Sequence, residues 1–152
     1  MNPKRTELSY RRAAIENAGS VGLVIILYDL LIDDLRQAMN AVEKRDIEAR
    51  SNAIKHGFLV LQQLEGSLDW ENGGEAAKWL ANFYAVMRCK ILEAHMKVSS
   101  QILSEQVALL LDVRRAWEQV DQTNSVSAVA PSTAEPISAA IDGEADDASW
   151  TA

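Results

Sequence analysis

The chain has 152 residues, which is enough for one domain with a substantial hydrophobic core. Hydrophobic residues make up 48% of it, and seven glycines and three prolines are few, so the composition favours helices over strands and turns. The formal net charge is −7, and residues 123–152 contain acidic side chains but no Lys or Arg. Because nonspecific nucleic-acid binding requires clustered cations, the composition disfavours a nucleic-acid-binding protein.

Neither the cysteine content nor the hydropathy points to secretion or to a membrane. Cys89 is the single cysteine, so no intrachain disulfide can form, and we expect a cytosolic protein. The apolar run at residues 21–28 follows a basic N-terminal stretch, but Glu16 precedes the run and Asp29 ends it. Spanning a bilayer takes roughly 20 apolar residues, so we expect no membrane insertion.

Residues 1–18 precede the first long amphipathic run. They contain a short helix-compatible patch that includes Leu8, Tyr10 and Ile15. We expect this stretch to form a short N-terminal helical segment outside the main fold.

Apolar residues then recur every three or four positions in four long runs, which is the spacing of one face of an α-helix. The first run begins near Ser20 and the second at Asp46, both good N-cap residues. The third follows Gly74, and the fourth extends to Val120. Because short links force neighbouring helices to be antiparallel, we predict an all-α fold, an antiparallel up-down four-helix bundle over residues 19–122.

The link between the second and third helices is rich in turn-forming residues. It contains Asp69, Asn72 and the pair Gly73-Gly74, and Glu75 follows at once. Asp and Asn bond to their own backbone in turns, and glycine tolerates the positive φ angles that reverse a chain. Glu75 suits the positive end of the next helix dipole. We therefore predict the corner of a helical hairpin here.

The last part of the chain, residues 123–152, has a different composition. Ala, Ser, Thr and Pro dominate, acidic residues are scattered, and the apolar residues show no periodicity. Trp150 is a solitary large apolar residue near the end. This pattern predicts a disordered acidic tail.

Few residues suggest catalysis or metal binding. His56 and His95 fall on different predicted helices, and neither belongs to the Glu-x-x-His pairs from which di-iron bundles are built. His56 also lacks the lysine three residues later that is typical of histidine phosphotransfer, since Leu59 stands there. Cys89 has cationic neighbours but no partner base. We predict no catalytic residue, no metal site and no cofactor, and therefore a protein that is not an enzyme.

Two tryptophans are candidate contact residues. Trp117 is in register with Leu110 on the fourth helix, which favours the core or its rim. Trp79 lies beside Leu80 and could face outward. An exposed tryptophan often marks a binding surface, and packing between helices is the alternative.

Several short motifs occupy the four runs in a definite order and spacing. Over roughly residues 10–120 they closely resemble the flagellar secretion chaperone family, FliS. The residues that carry the resemblance are Tyr10, Leu27-Tyr28-Asp29, Ser67-Leu68-Asp69, Gly73-Gly74-Glu75, Leu80, Tyr84, Leu92-Glu93-Ala94, Leu110 and Arg114-Arg115-Ala116-Trp117.

The chain departs from this family pattern at a few positions. Ser20 stands where the family usually begins its first helix with a proline, and Leu30 replaces a common glycine. Trp79 and Cys89 stand where polar or basic residues are more usual. These differences concern the partner surface rather than the fold.

The resemblance implies a cytoplasmic export chaperone. Such a protein binds the disordered C-terminal segment of flagellin, prevents premature polymerisation and aids delivery to the flagellar type III export apparatus, whose export-gate components would be further partners. A helical adaptor of another secretion system and a histidine-phosphotransfer bundle are the alternatives.

The resemblance also suggests which residues contact the partner. Tyr10 matches the family's N-terminal tyrosine, and we expect Leu8, Tyr10 and Ile15 to act as a movable cover or as a staple at the helix start. Tyr28 and Asp29 are the strongest matches in the first helix. The predicted contact residues are Leu8, Tyr10, Ile15, Tyr28, Asp29, Trp79, Leu110 and Trp117.

Overall fold

The structure, a computed structural model, describes residues 20–129, with the side chains described as far as residue 125. These residues form four helices and no strand: α1 (Ser20–Lys44), α2 (Ile47–Gly66), α3 (Gly74–Lys97) and α4 (Ser100–Val129). The prediction of an all-α four-helix bundle is confirmed. The predicted N-terminal segment, residues 1–18, lies outside the described residues, as does the tail beyond residue 129.

Polar contacts between helices agree with the antiparallel order. Arg50 near the start of α2 donates through Nε to Nδ1 of His95 near the end of α3, at 3.3 Å. Asp29, early in α1, accepts two hydrogen bonds from Arg114 of α4, at 2.6 and 3.2 Å. Each contact joins positions that an up-down bundle places side by side.

Among the described residues, one cluster of buried apolar side chains joins all four helices. The largest fully buried members are Tyr28, Leu31, Leu35, Leu61, Leu64, Tyr84, Met87, Ile91, Leu103 and Leu110. On α1 the buried face begins at Val24, whereas Leu23 is 37% exposed. The apolar spacing predicts a core stripe on α1 that contains Leu23, Leu27, Leu30 or Leu31, Leu35, Ala38 and Val42. Leu31, Leu35 and Ala38 are buried as predicted, but in the first turns the buried residues are Val24 and Tyr28. Residues 21–28 are apolar on nearly every side, so periodicity there does not select the buried face.

Helix caps stabilise the two shorter connections, α1–α2 and α3–α4. Asp46 caps α2 as predicted, because its carboxylate accepts a hydrogen bond from the Ala49 N–H at 3.0 Å. Val98 ends α3 in the left-handed region at φ 54°, which is uncommon for a β-branched residue. Ser99 then accepts from the Ile102 N–H at 3.2 Å and so caps the start of α4.

The corner between α2 and α3 is built on Asp69 and the two glycines. The Asp69 carboxylate accepts hydrogen bonds from the N–H groups of Glu71 and Asn72, at 3.2 and 3.0 Å. Gly74 has a φ of 53°, which glycine adopts without steric strain. A Cβ on Gly73 would lie 2.3 Å from the Asp69 carbonyl oxygen, so the chain passes too close for any side chain.

Helix α4 continues through Val129, past residue 123, where the tail was predicted to begin. No glycine or proline interrupts α4 before Pro131. Two hydroxyl groups near its end form hydrogen bonds to carbonyl groups of the same helix. Thr123 donates to the Gln119 carbonyl and Ser125 to the Asp121 carbonyl, both at 2.9 Å. Residues through Trp117 belong to one compact unit of the chain, and a second unit begins at Glu118.

The corner predicts a graded response to alanine at three glycines. Gly73→Ala should lower the free energy of unfolding by about 1–3 kcal/mol, because the new methyl group meets backbone. Gly74→Ala should lower it by about 1–2 kcal/mol through the left-handed φ. Gly66→Ala has open space around its Cβ and should stabilise the protein by about 0.4–1 kcal/mol. Urea denaturation measures all three, and equal effects would contradict this account of the corner.

Candidate partner-binding groove

A groove of about 1190 Å³ lies between α1, α2 and the first turns of α3. Its walls are mainly apolar. Representative lining residues are Leu23, Leu27, Leu30, Leu59, Leu68 and Leu80. Pockets for small molecules have volumes of about 300–1,000 Å³, so this groove has the capacity to hold a peptide segment.

Two leucines leave apolar surface exposed along the groove. Leu59 of α2 is 56% exposed and Leu23 of α1 is 37% exposed, and both line the groove. Single exposed apolar residues are ordinary, but a contiguous apolar surface that is also concave is typical of a site for another apolar surface.

A buried polar contact adjoins the groove. The hydroxyl groups of Tyr28 in α1 and Tyr84 in α3 form a hydrogen bond of 2.9 Å, and their rings lie edge to face with centroids 6.3 Å apart. Tyr84 lines the groove, as does Trp117 of α4. Trp117 packs against the same core, and its buried indole N–H lies near the Tyr28 hydroxyl without the geometry of a hydrogen bond.

Burial keeps both tyrosines neutral. It raises the pKa of Tyr28 from its ordinary 10.0, an effect partly offset by the Tyr84 hydroxyl and the nearby Trp117 N–H. Burial also raises the pKa of Tyr84, and the neighbouring Tyr28 raises it further. The two hydroxyls therefore act as a fixed hydrogen-bonded pair and not as acid–base groups.

Polar side chains form part of the rim. His56 of α2 lies in the groove wall, and its Nδ1 is 2.6 Å from a carboxylate oxygen of Asp34, a buried residue of α1. Asp69 lines the other end, where hydrogen bonds from the backbone and side chain of Asn72 hold its pKa below 3.8. A histidine and a carboxylate that is ionised at neutral pH thus border a mainly apolar groove.

The predicted contact residues fall into different groups in the structure. Trp117 lines the groove, and Tyr28 is buried, with its hydroxyl hydrogen-bonded to that of the groove residue Tyr84. Leu110 is fully buried in the core, so any effect of this residue on binding must pass through packing. Leu8, Tyr10 and Ile15 lie outside the described residues.

Trp79 and Asp29 lie apart from the groove lining. Trp79 is 56% exposed and stacks on Phe83 with ring centroids 5.2 Å apart. Asp29 is half exposed and makes the paired hydrogen bonds to Arg114, so it fastens α4 to α1. The roles predicted for both as partner contacts remain predictions.

The sequence did not identify several groove residues. Leu27 was assigned to a core stripe, and Leu59 and His56 were not considered as contacts. Leu59 lies outside the apolar stripe of α2. A leucine on the polar side of an amphipathic helix is a sequence signal that could have identified the groove-facing side of α2. Nothing local in the sequence pairs His56 with Asp34, which lies 22 residues away.

Among the described residues no three His, Cys, Asp or Glu side chains are grouped as a metal site would require. Within the same part of the chain, no helix has the length and hydropathy to span a bilayer. Cys89 is exposed, and His95 accepts a hydrogen bond from Arg50.

The described residues form a helical bundle with a mainly apolar groove. The model of the family described as flagellar protein FliS matches residues 2–124, and the chain belongs to that family.

Named relatives agree with the family assignment. The chain is 30% identical to the flagellar secretion chaperone FliSB of Pseudomonas aeruginosa over 108 residues, which is 71% of this chain and 86% of that protein. It is 28% identical to FliS of Salmonella typhimurium over 109 residues, 71% of this chain and 81% of that protein. With FliS of Bacillus subtilis it shares 24% identity over 115 residues, 76% of this chain and 85% of that protein.

The tyrosine pair predicts a strong coupling between two substitutions. Tyr28→Phe or Tyr84→Phe alone should lower the free energy of unfolding by about 1–3 kcal/mol, because each leaves a buried hydroxyl without its partner. The double variant should lose much less than the sum, since both polar groups are then gone. Urea denaturation of all four proteins at pH 7 measures the coupling, and additive losses would contradict it.

Alkaline pH provides a second check on the same variants. Because folding raises the pKa of both hydroxyls above 10.0, their full contribution to the free energy of unfolding is present below that pH. Above it the unfolded chain releases protons that the folded chain retains, so wild-type stability should fall. The decline between pH 9 and 11 should be smaller in the double Phe variant.

Proposed function

We propose that this protein is an export chaperone that binds the disordered C-terminal segment of flagellin in the α1–α2–α3 groove. Binding keeps the segment from polymerising prematurely and aids its delivery to the flagellar type III export apparatus, including contact with export-gate components. The observation that carries the proposal is the apolar groove with its exposed leucines, in a chain of the FliS family.

The physical properties of the two partners support this assignment. Flagellin's C-terminal region forms helices in the filament core, so before assembly its apolar faces lack a partner. An amphipathic segment that folds as a helix can lay such a face into a groove between helices. Leu23, Leu27 and Leu59 would supply the complementary surface.

The conformational entropy that the flagellin segment loses on binding has to be offset by a large contact area. A segment that folds as it binds commonly buries about 1,000–3,000 Å² and loses conformational entropy. The groove runs over three helices, which supports a long contact rather than a single anchoring pocket.

We propose that residues 1–18 cover the groove or contact the bound segment. Ser20 and Val21, at the start of α1, line the groove, so the chain enters the described structure at its edge. Leu8, Tyr10 and Ile15 are apolar enough to compete with flagellin for the same leucines or to pack on top of it.

We further propose that the protein acts in the bacterial cytosol and by binding alone. The relatives are named secretion chaperones, which supports a role before export. The groove residues described above supply apolar surface and fixed hydrogen bonds, and these are means of binding.

Titration calorimetry with the C-terminal segment of flagellin from the same bacterium tests the function and the site together. Leu59→Gln should weaken binding about tenfold, because an amide is buried where apolar area was lost. Leu109→Gln is the matched control, since Leu109 is 46% exposed on α4 and does not line the groove. Its affinity should stay within about twofold of wild type.

Two results would contradict the proposal in different ways. No binding by the wild type at high micromolar concentration would exclude flagellin as the partner. Equal losses in the two leucine variants would leave flagellin as a partner but exclude the groove as its site.

Deletion of residues 2–17 tests the role of the N-terminal segment. The bundle should stay folded by circular dichroism, because residues of α1 to α4 form a continuous buried core among themselves. The affinity for flagellin should change, upward if the segment competes and downward if it contacts the ligand. An unchanged affinity would refute both roles.

A further inference from the structure

His56 is held in a defined orientation in the groove wall. Its Nδ1 lies 2.6 Å from Oδ2 of Asp34, and the side chain of Asp34 is only 9% exposed, whereas that of His56 is 56% exposed. Such a short contact to a buried carboxylate is typical of a charge-assisted hydrogen bond. Because Asp34 engages Nδ1, Nε2 is the ring atom that can bind another molecule.

His56 is the histidine among the groove-lining residues. Asp34 from α1 contacts its ring and Lys55 adjoins it on α2, while Asp69 from the corner and Tyr84 from α3 line the same groove. Hydrogen bonds from Asn72 lower the pKa of Asp69, and burial raises that of Tyr84. Neither changes charge between pH 5 and 8, which is where histidine side chains ordinarily do.

We propose that His56 is a specificity-determining residue of the groove, whose imidazolium donates a hydrogen bond from Nε2 to a carboxylate of the bound segment. The inference rests on the proposed function of the groove and adds to it the chemistry of one ligand group. A segment that fits would present an acidic side chain within an otherwise apolar face.

Asp34 is the positioning residue of this contact. It directs Nε2 away from α1. The leucine-rich wall excludes water once a segment is bound, which strengthens the bond between imidazolium and carboxylate. A neutral ring with its proton on Nδ1 would present a lone pair at Nε2 and would repel the carboxylate.

Binding is therefore coupled to proton uptake. The protonated ring is the form that the ligand favours, so affinity rises as the pH falls through the histidine range. A charge-assisted contact of this kind corresponds to about three- to tenfold tighter binding at pH 5.5 than at pH 8.0.

The second histidine is a matched control. The chain contains two histidines. His95 lies on α3, where it accepts a hydrogen bond from Arg50, and it does not line the groove.

The experiment is titration calorimetry of the full chain with a synthetic peptide of the flagellin C-terminal segment, at pH 5.5, 6.5 and 8.0 and constant ionic strength. Wild type and His95→Gln should bind about three- to tenfold tighter at pH 5.5 than at 8.0, and His56→Gln should lose this dependence. Wild-type titrations in buffers of different ionisation enthalpy should also show proton uptake, a readout that needs no variant.

Two outcomes would overturn the inference. A pH profile of His56→Gln equal to that of wild type, or wild-type binding without proton uptake, overturns it while the flagellin assignment stands. Absence of wild-type binding at every pH overturns the flagellin assignment and this inference together.

Discussion

The hydrogen bond between Tyr28 and Tyr84 is the contact on which the groove depends. It joins α1 to α3 inside the core, at 2.9 Å, and brings the two rings edge to face beside Trp117 of α4. Because both hydroxyls are buried, each satisfies the other, and loss of either partner leaves an uncompensated polar group. Tyr84 also lines the groove, so this hydrogen bond holds part of the groove lining against α1.

Helices α1 and α2 are in contact beside His56. A Cβ added at Gly57 would make ordinary van der Waals contact with the side chains of Leu31 and Asp34, at 3.4 and 3.7 Å. This packing places the Asp34 carboxylate within reach of the imidazole ring. At the other end, Gly73 and Gly74 let the chain turn into α3 and bring Asp69 to the rim.

Local sequence patterns predicted most of the fold, whereas contacts between distant residues determine which side chains form the groove. The cap at Asp46 and the corner at Gly73-Gly74 follow from side chains acting within a few residues, so sequence alone identified them. Tyr28 was singled out through the family motif, but its pairing with Tyr84 spans 56 residues and was not foreseen. The uniformly apolar start of α1 concealed which leucines face the groove, and the polar composition after residue 123 concealed the continuation of α4.

The central claim is that the partner segment lies in the α1–α2–α3 groove, and photo-cross-linking tests it most directly. A benzophenone amino acid placed at Leu59 reports on the groove, and one at Val86, which is 49% exposed on α3 and outside the groove lining, reports on another face. The account predicts that Leu59 cross-links to the C-terminal segment of full-length flagellin and that Val86 does so far less. Cross-linking at Val86 with none at Leu59 would contradict it.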